Sequence, residues 1–122
     1  MFFIYTAKIR KKEAGLFPQI FSDEVLKASA LEVAKGLGIP LGGFKGGKCV
    51  KLEVTSKGGA GRTVWRVHGE YIILLLARSK SDPVGENITR KIPIVEEALE
   101  KAFDWAETDM DNDTFDLVEL EF

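Results

Sequence analysis

The chain has 122 residues, of which 45% are hydrophobic and 30% charged, and a formal net charge of −2. That length supports one hydrophobic core and one domain, and the composition is that of a globular protein rather than a disordered or fibrous one. A lone cysteine, Cys49, excludes an internal disulfide and any cysteine-based metal cage, and no apolar run approaches the ~20 residues of a bilayer-spanning helix.

The opening MFFIYTAKIR is too short for a signal peptide and carries its charges on the wrong side, so the cytoplasm is the expected compartment. Phe2 to Ile9 is rich in β-formers and reads as a first strand, with Lys8, Arg10, Lys11 and Lys12 clustered at its exit. Gly15 and Pro18 break the chain. A helix is then expected from Ser22 as N-cap, with Asp23 and Glu24 in a first turn that favours acids. Leu26, Ala30, Val33, Ala34 and Leu37 form its apolar stripe, and Gly36, Gly38 and Pro40 stop it.

From Gly42 to Asp82 the chain reads as a three-strand meander with glycine turns. Lys51-Leu52-Glu53-Val54 alternates polar and apolar, Gly58 to Gly61 turns the chain, and Thr63 to Val67 brings it back. His68-Gly69-Glu70 reverses it again into Tyr71 to Ala77, apolar throughout, as a strand covered on both faces must be. Residues 42–49, GGFKGGKC, nearly spell a nucleotide-binding loop, but Cys49 stands where Ser or Thr would hold magnesium and a strand follows rather than a helix. Those glycines instead suit an approach that presents Lys45 and Lys48 to a phosphodiester backbone.

Beyond the meander, Ser79 to Thr89 is a polar loop. A second helix is expected near Ile92 with Pro93 in its first turn, and Val95, Ala98, Leu99, Ala102, Phe103 and Ala106 form its stripe. Asp109 to Asp113 reads as a hydrophilic break, and Phe115 to Phe122 alternates as an edge strand would. The charge divides sharply. Residues 1–103 hold all 17 Lys+Arg and 11 of the 19 Asp+Glu, a net of +6, while residues 104–122 hold eight acids and no Lys or Arg. A basic body points to a polyanion partner, and the acidic tail from 108 to 122 is a candidate mask for it.

Strand periodicity sorts the cations. Arg62, Val64, Arg66 and His68 share one face, opposite Thr63, Trp65 and Val67, so Arg62 and Arg66 should point outward or into a cleft. Leu74, Leu76, Arg78 and Lys80 share a face that turns from apolar to cationic, and Lys51 falls in the polar class with Glu53. Cations at the ends of adjacent strands, beside two glycine turns, suit an anion site. His68, the sole histidine, sits in a tight turn where a structural role is expected. No Ser/His/Asp set or carboxylate pair stands out, and Asp109, Asp111 and Asp113 lack the glycine and distal Glu of a calcium loop. No metal or cofactor is expected.

Lys57-Gly58-Gly59-Ala60-Gly61-Arg62 before Val64-Trp65-Arg66-Val67, then Leu74 to Ala77 before Arg78-Ser79-Lys80-Ser81-Asp82 and Asn87-Ile88-Thr89, resembles the RelE/HigB-type toxin superfamily. The likeness covers about residues 1–107, with its motifs confined to 42–90. It implies an α+β fold in which a small, curved, mostly antiparallel sheet, made of the meander and an N-terminal strand, packs against an N-terminal and a C-terminal helix. It implies a toxin that cleaves messenger RNA on the ribosome and is silenced by a cognate antitoxin. By that likeness Arg62 is the post-turn arginine at the scissile phosphate, Lys51 the strand lysine, and Arg78 and Lys80 the basic end of the last strand. Lys45, Lys48, Lys57 and Arg66 are the accompanying RNA contacts. Attack of a 2′-hydroxyl on its neighbouring phosphorus builds negative charge that fixed cations stabilise. The alternative is a non-catalytic protein- or RNA-binding module on the same scaffold, such as a gyrase-poisoning relative or an inactive homologue.

Overall fold

In the computed structural model, which describes residues 1–42, 48–89 and 91–122, the meander is the centre of a six-stranded sheet among the described residues. Its strands are β1 (Phe2–Thr6), β2 (Ile39–Pro40), β3 (Lys48–Ser56), β4 (Gly59–His68), β5 (Tyr71–Ser79) and β6 (Phe115–Glu119). They lie in the order β2-β3-β4-β5-β1-β6. Every pairing is antiparallel except β1 with β5, which run parallel. The helices are α1 (Ala7–Lys12), α2 (Asp23–Ala34) and α3 (Pro93–Asp111), with a 3-10 turn at Ala14–Leu16. The fold is thus α+β with a mixed, open sheet.

Neighbouring residues of a strand face opposite sides, and β4 shows what each side meets. Trp65 is fully buried and lies edge-on to Phe3, whose ring stacks on Tyr5. On that same side Phe21, just before α2, covers Gly61, and α2 buries Leu26, Ala30 and Val33. Arg66, on the opposite side, reaches Glu107 and Phe103 of α3. One helix therefore covers each face. β5 lies between them, and Ile72 to Ala77 are all buried. Fully burying each Ile and Leu of this run stabilises the fold by ~1.5–3 kcal/mol.

Local chemistry explains the boundaries. Ser22 caps α2, its Oγ accepting the Val25 amide at 3.2 Å. Pro93 opens α3, where its missing N–H costs no hydrogen bond. His68 pairs with Tyr71 across a two-residue turn in which Gly69 has φ 58°, a left-handed conformation that favours glycine.

Three sequence expectations change. The first strand stops at Thr6 rather than Ile9, because α1 begins at Ala7. The Lys8 amide donates to Asp109 Oδ2 at 2.7 Å, so a buried carboxylate from α3 caps a helix 101 residues earlier. Asp109 is consequently part of α3, which runs through the proposed 107/108 boundary to Asp111. The glycine cluster is not all turn: Ser56 pairs with Gly59, so Gly59 and Gly61 lie in β4. A Cβ on Gly61 would come within 2.5 Å of the Phe21 ring, and one on Gly58 within 1.7 Å of the Gln19 carbonyl oxygen, so these positions serve close packing. The polar loop expected over Ser79 to Thr89 holds apart from Ser79, which ends β5, and Val84, Gly85 and Ile88 within it are buried. Among the described residues no helix is long and apolar enough to cross a membrane.

Candidate functional site

The register sets Glu53 of β3, Arg62 of β4 and Arg78 of β5 side by side across three strands. Lys51 lies two residues from Glu53 on β3, hence on the same face, and Lys80 follows β5. Arg62 Nε and Nη2 each reach Glu53 Oε1 at 3.4 Å, and Lys80 Nζ lies 3.5 Å from Glu53 Oε2. Arg62 Nη1 also donates to the Gly85 carbonyl at 2.7 Å and to that of Glu86. Lys51 Nζ donates to the Ile88 carbonyl at 3.0 Å. Lys51, Glu53 and Arg62 thereby line one groove of about 480 Å3, with Ile39, Asn87 and Ile88 among its other walls.

The loop that meets these cations is held by Asp82. Its Oδ2 accepts the Val84 amide at 2.9 Å and the Gly85 amide at 3.3 Å, while its carbonyl accepts the Glu86 amide at 2.8 Å. Gly85 lies so close to β5 that a Cβ there would meet the Ser79 carbonyl oxygen at 2.1 Å. This flat packing brings the 85–88 carbonyls within reach of Arg62 and Lys51.

Arg78, though beside Arg62, belongs to a different environment. Its Nε and Nη2 donate to the fully buried Glu13 carboxylate at 2.8 and 2.7 Å, and its Nη1 donates to Asp82 at 3.1 Å. Glu13 also accepts the Ala77 amide at 3.1 Å. The reason is topological: β1 pairs with β5 only as far as Ile73, so Ala77 has no strand partner on that side and a side chain supplies the acceptor. Burial pushes the Glu13 carboxyl above the usual carboxylate range, opposed by its bonds from Arg78, while the Glu13 bond raises Arg78 above its own. The expectation that Arg78 contacts a phosphate gives way to a structural role: its donors are committed inside the fold.

The remaining expected contacts do not join this cluster. Lys48 is exposed at the start of β3 and pairs with Val67, toward the far end of β4, and Lys57 is exposed on the β3–β4 hairpin. Lys45 lies outside the described residues. Arg66, 12% exposed at its side chain, donates to Glu107 at 2.7 Å and lies 5.0 Å over Phe103. It lines a second groove with the exposed His68. The acidic tail does not overlie Lys51, Arg62 and Lys80 either. β6 lies beyond β1 at the opposite edge of the sheet, and Asp116 accepts from Arg10 at 2.7 Å. For these three cations the self-masking expectation is therefore corrected, while the tail does engage Arg10 and borders the groove of Arg66.

Sequence reasoning missed Glu53 as a site residue. Its side chain is 62% exposed yet sits between two cations, and Lys80 first, then Arg62, hold its carboxyl below the usual range. The available signal was the Lys51-x-Glu53 alternation opposite Arg62. Chemically, an exposed carboxylate beside a guanidinium and an ammonium can accept a proton while its neighbours stabilise a developing anion. In comparisons with known proteins, no family model matches the chain, and neither a curated protein nor a solved structure does.

Proposed function

We propose that this chain is a toxin of RelE/HigB type, an endoribonuclease that holds messenger RNA on the ribosome against the Lys51–Arg62–Lys80 end of its sheet and is silenced by a cognate antitoxin. The observation that carries the reading is the placement of Arg62 and Lys80 around the exposed carboxylate of Glu53, with Lys51 in the same groove. The element order also supports it: an initial strand, helical cover, a lysine-bearing strand, a glycine hairpin before Arg62, a buried strand ending in Arg78-Ser79-Lys80, and a C-terminal helix.

In this reading a phosphodiester displaces the long Glu53 contacts of Arg62 and Lys80. Glu53 takes the proton from the 2′-hydroxyl as its oxygen bonds to phosphorus. The bond from phosphorus to the 5′ oxygen breaks, that oxygen receives a proton from Lys80, and a 2′,3′-cyclic phosphate remains. Arg62 and Lys51 stabilise the charge on the non-bridging oxygens. Arg78 acts at one remove, fixing the strand end and Asp82, which shapes the loop.

A specific observation favours the second reading, a non-catalytic RNA-binding module. Lys51, Arg62 and Lys80 already have partners within the chain. Glu53→Gln separates the two, because it removes the base and keeps the cations. Under the toxin reading this variant binds RNA and cuts none. Wild-type binding without cleavage on translating ribosomes favours the module.

A further inference from the structure

The edge farthest from the candidate site has no described segment against its outer side. β6 is the last strand of the sheet. The Leu120 amide donates to the Met1 carbonyl at 2.9 Å, and the Ala7 amide to the Thr114 carbonyl at 3.1 Å. Bonded pairs alternate in an antiparallel ladder, and the register pairs Phe3 with Val118 and Tyr5 with Asp116. Asp116 and Val118 therefore turn their backbone groups toward β1. Phe115, Leu117 and Glu119 turn theirs outward, three donors and three acceptors spaced to receive another strand.

Two features beside this edge narrow what could occupy it. A groove of about 380 Å3 borders β6, with Ile4, Ile73, Met110, Phe115 and Leu117 as its apolar wall. Leu117 is 53% exposed, a large apolar side chain left in water where that groove meets the edge. The segment's own charge has one sign, although Arg10 already pairs with Asp116 and Arg66 lines the groove. Residues 104–122 carry eight acids and no Lys or Arg, with exposed Asp111 and Asp113 before β6 and exposed Glu119 and Glu121 at its end. A second copy of this chain would set two such segments against each other. A cationic strand meets complementary charge instead.

We propose that β6 is the docking edge for an extended basic segment of another protein, which adds to the sheet as a seventh strand. Its residues facing Phe115 and Leu117 are apolar and extend the groove wall, and its flanks are lysine or arginine. The main chain supplies the ladder, and the flanking charge selects the partner.

The test uses the full chain and a capped nonapeptide with paired lysines at each end and alternating Val and Thr between. Binding is read by fluorescence anisotropy, and amide hydrogen exchange is followed by NMR. Wild type should bind the peptide, more weakly as salt rises, and slow exchange at the Phe115, Leu117 and Glu119 amides. Leu117→Pro removes an outward N–H without touching the ladder to β1 and should weaken binding at least tenfold. Should that variant fail to fold, Glu119→Lys/Glu121→Lys carries the test: it should lose the lysine peptide and gain the matching glutamate peptide. Equal binding by wild type and folded Leu117→Pro, or no slowing at the three amides, would overturn strand addition. A wild-type homodimer that Leu117→Pro dissociates would overturn the choice of partner.

Discussion

Arg62 and Arg78 are register neighbours on adjacent strands, yet the fold gives them opposite tasks. Arg78 is enclosed with Asp82 and with Glu13, whose wholly buried carboxylate also completes a strand edge that β1 leaves unpaired. Arg62 faces a groove, and its carboxylate partner Glu53 is largely solvated. A buried ion pair fixes structure because removing one partner strands a charge in low dielectric. A solvated pair at 3.4 Å is worth little and exchanges readily for a ligand. The partner's burial, rather than the arginine, separates scaffold from candidate site.

The largest expected effect breaks the buried side. Glu13→Ala leaves Arg78 without its main partner and the Ala77 amide without an acceptor, so stability in urea should fall by about 3–5 kcal/mol. Glu53→Ala, which removes only solvated pairs, should shift the urea midpoint far less. Equal losses in the two would erase the contrast. On the solvated side, Arg62→Ala/Lys80→Ala should keep the fold and weaken RNA binding at least tenfold at low salt. The slope of log affinity against log salt should fall by roughly 2, about 1 for each phosphate that the variant no longer neutralises.

Titrations sharpen the same contrast at smaller scale. Burial raises the Tyr5 hydroxyl from 10.0 to about 12, against the opposing influence of Arg10. Its folded-state value lies above the unfolded one, so the unfolded chain releases this proton first. The Tyr5 contribution to stability should be intact below pH 10.0 and lost as pH rises toward about 12. Ultraviolet titration should show a tyrosine ionising near that upper value. Glu53 shifts the other way. Its contribution is present above the ordinary carboxylate range and lost as pH falls through its depressed folded-state value. In Lys80→Ala, NMR titration should return Glu53 most of the way to that range.

Much of the fold was legible because periodicity reports burial. Tyr71 to Ala77 reads as a two-faced strand and Ile72 to Ala77 are buried, and Ser22 and Pro93 mark helix starts through chemistry confined to a few residues. What the sequence hid depends on distant partners. Asp109 looks like tail but caps α1, and Glu13 looks like surface but lies under β5. Neither role has a local signature, since each carboxylate serves a backbone amide, one at a helix start and one at a strand edge, that lies 101 or 64 residues away in the chain. Of the expected catalytic cations, Lys51, Arg62 and Lys80 gather at one end, whereas Arg78 is drawn inward by that unseen glutamate. Arg66 shares Arg62's strand face, but α3 supplies Glu107 and Phe103 to engage it.

The most direct test is messenger RNA integrity and growth in a bacterium expressing either wild type or Arg62→Ala/Lys80→Ala, with both proteins shown to be folded. Growth arrest and cleaved messages in the wild type alone are the predicted result. Equal growth and intact messages in both strains would contradict it.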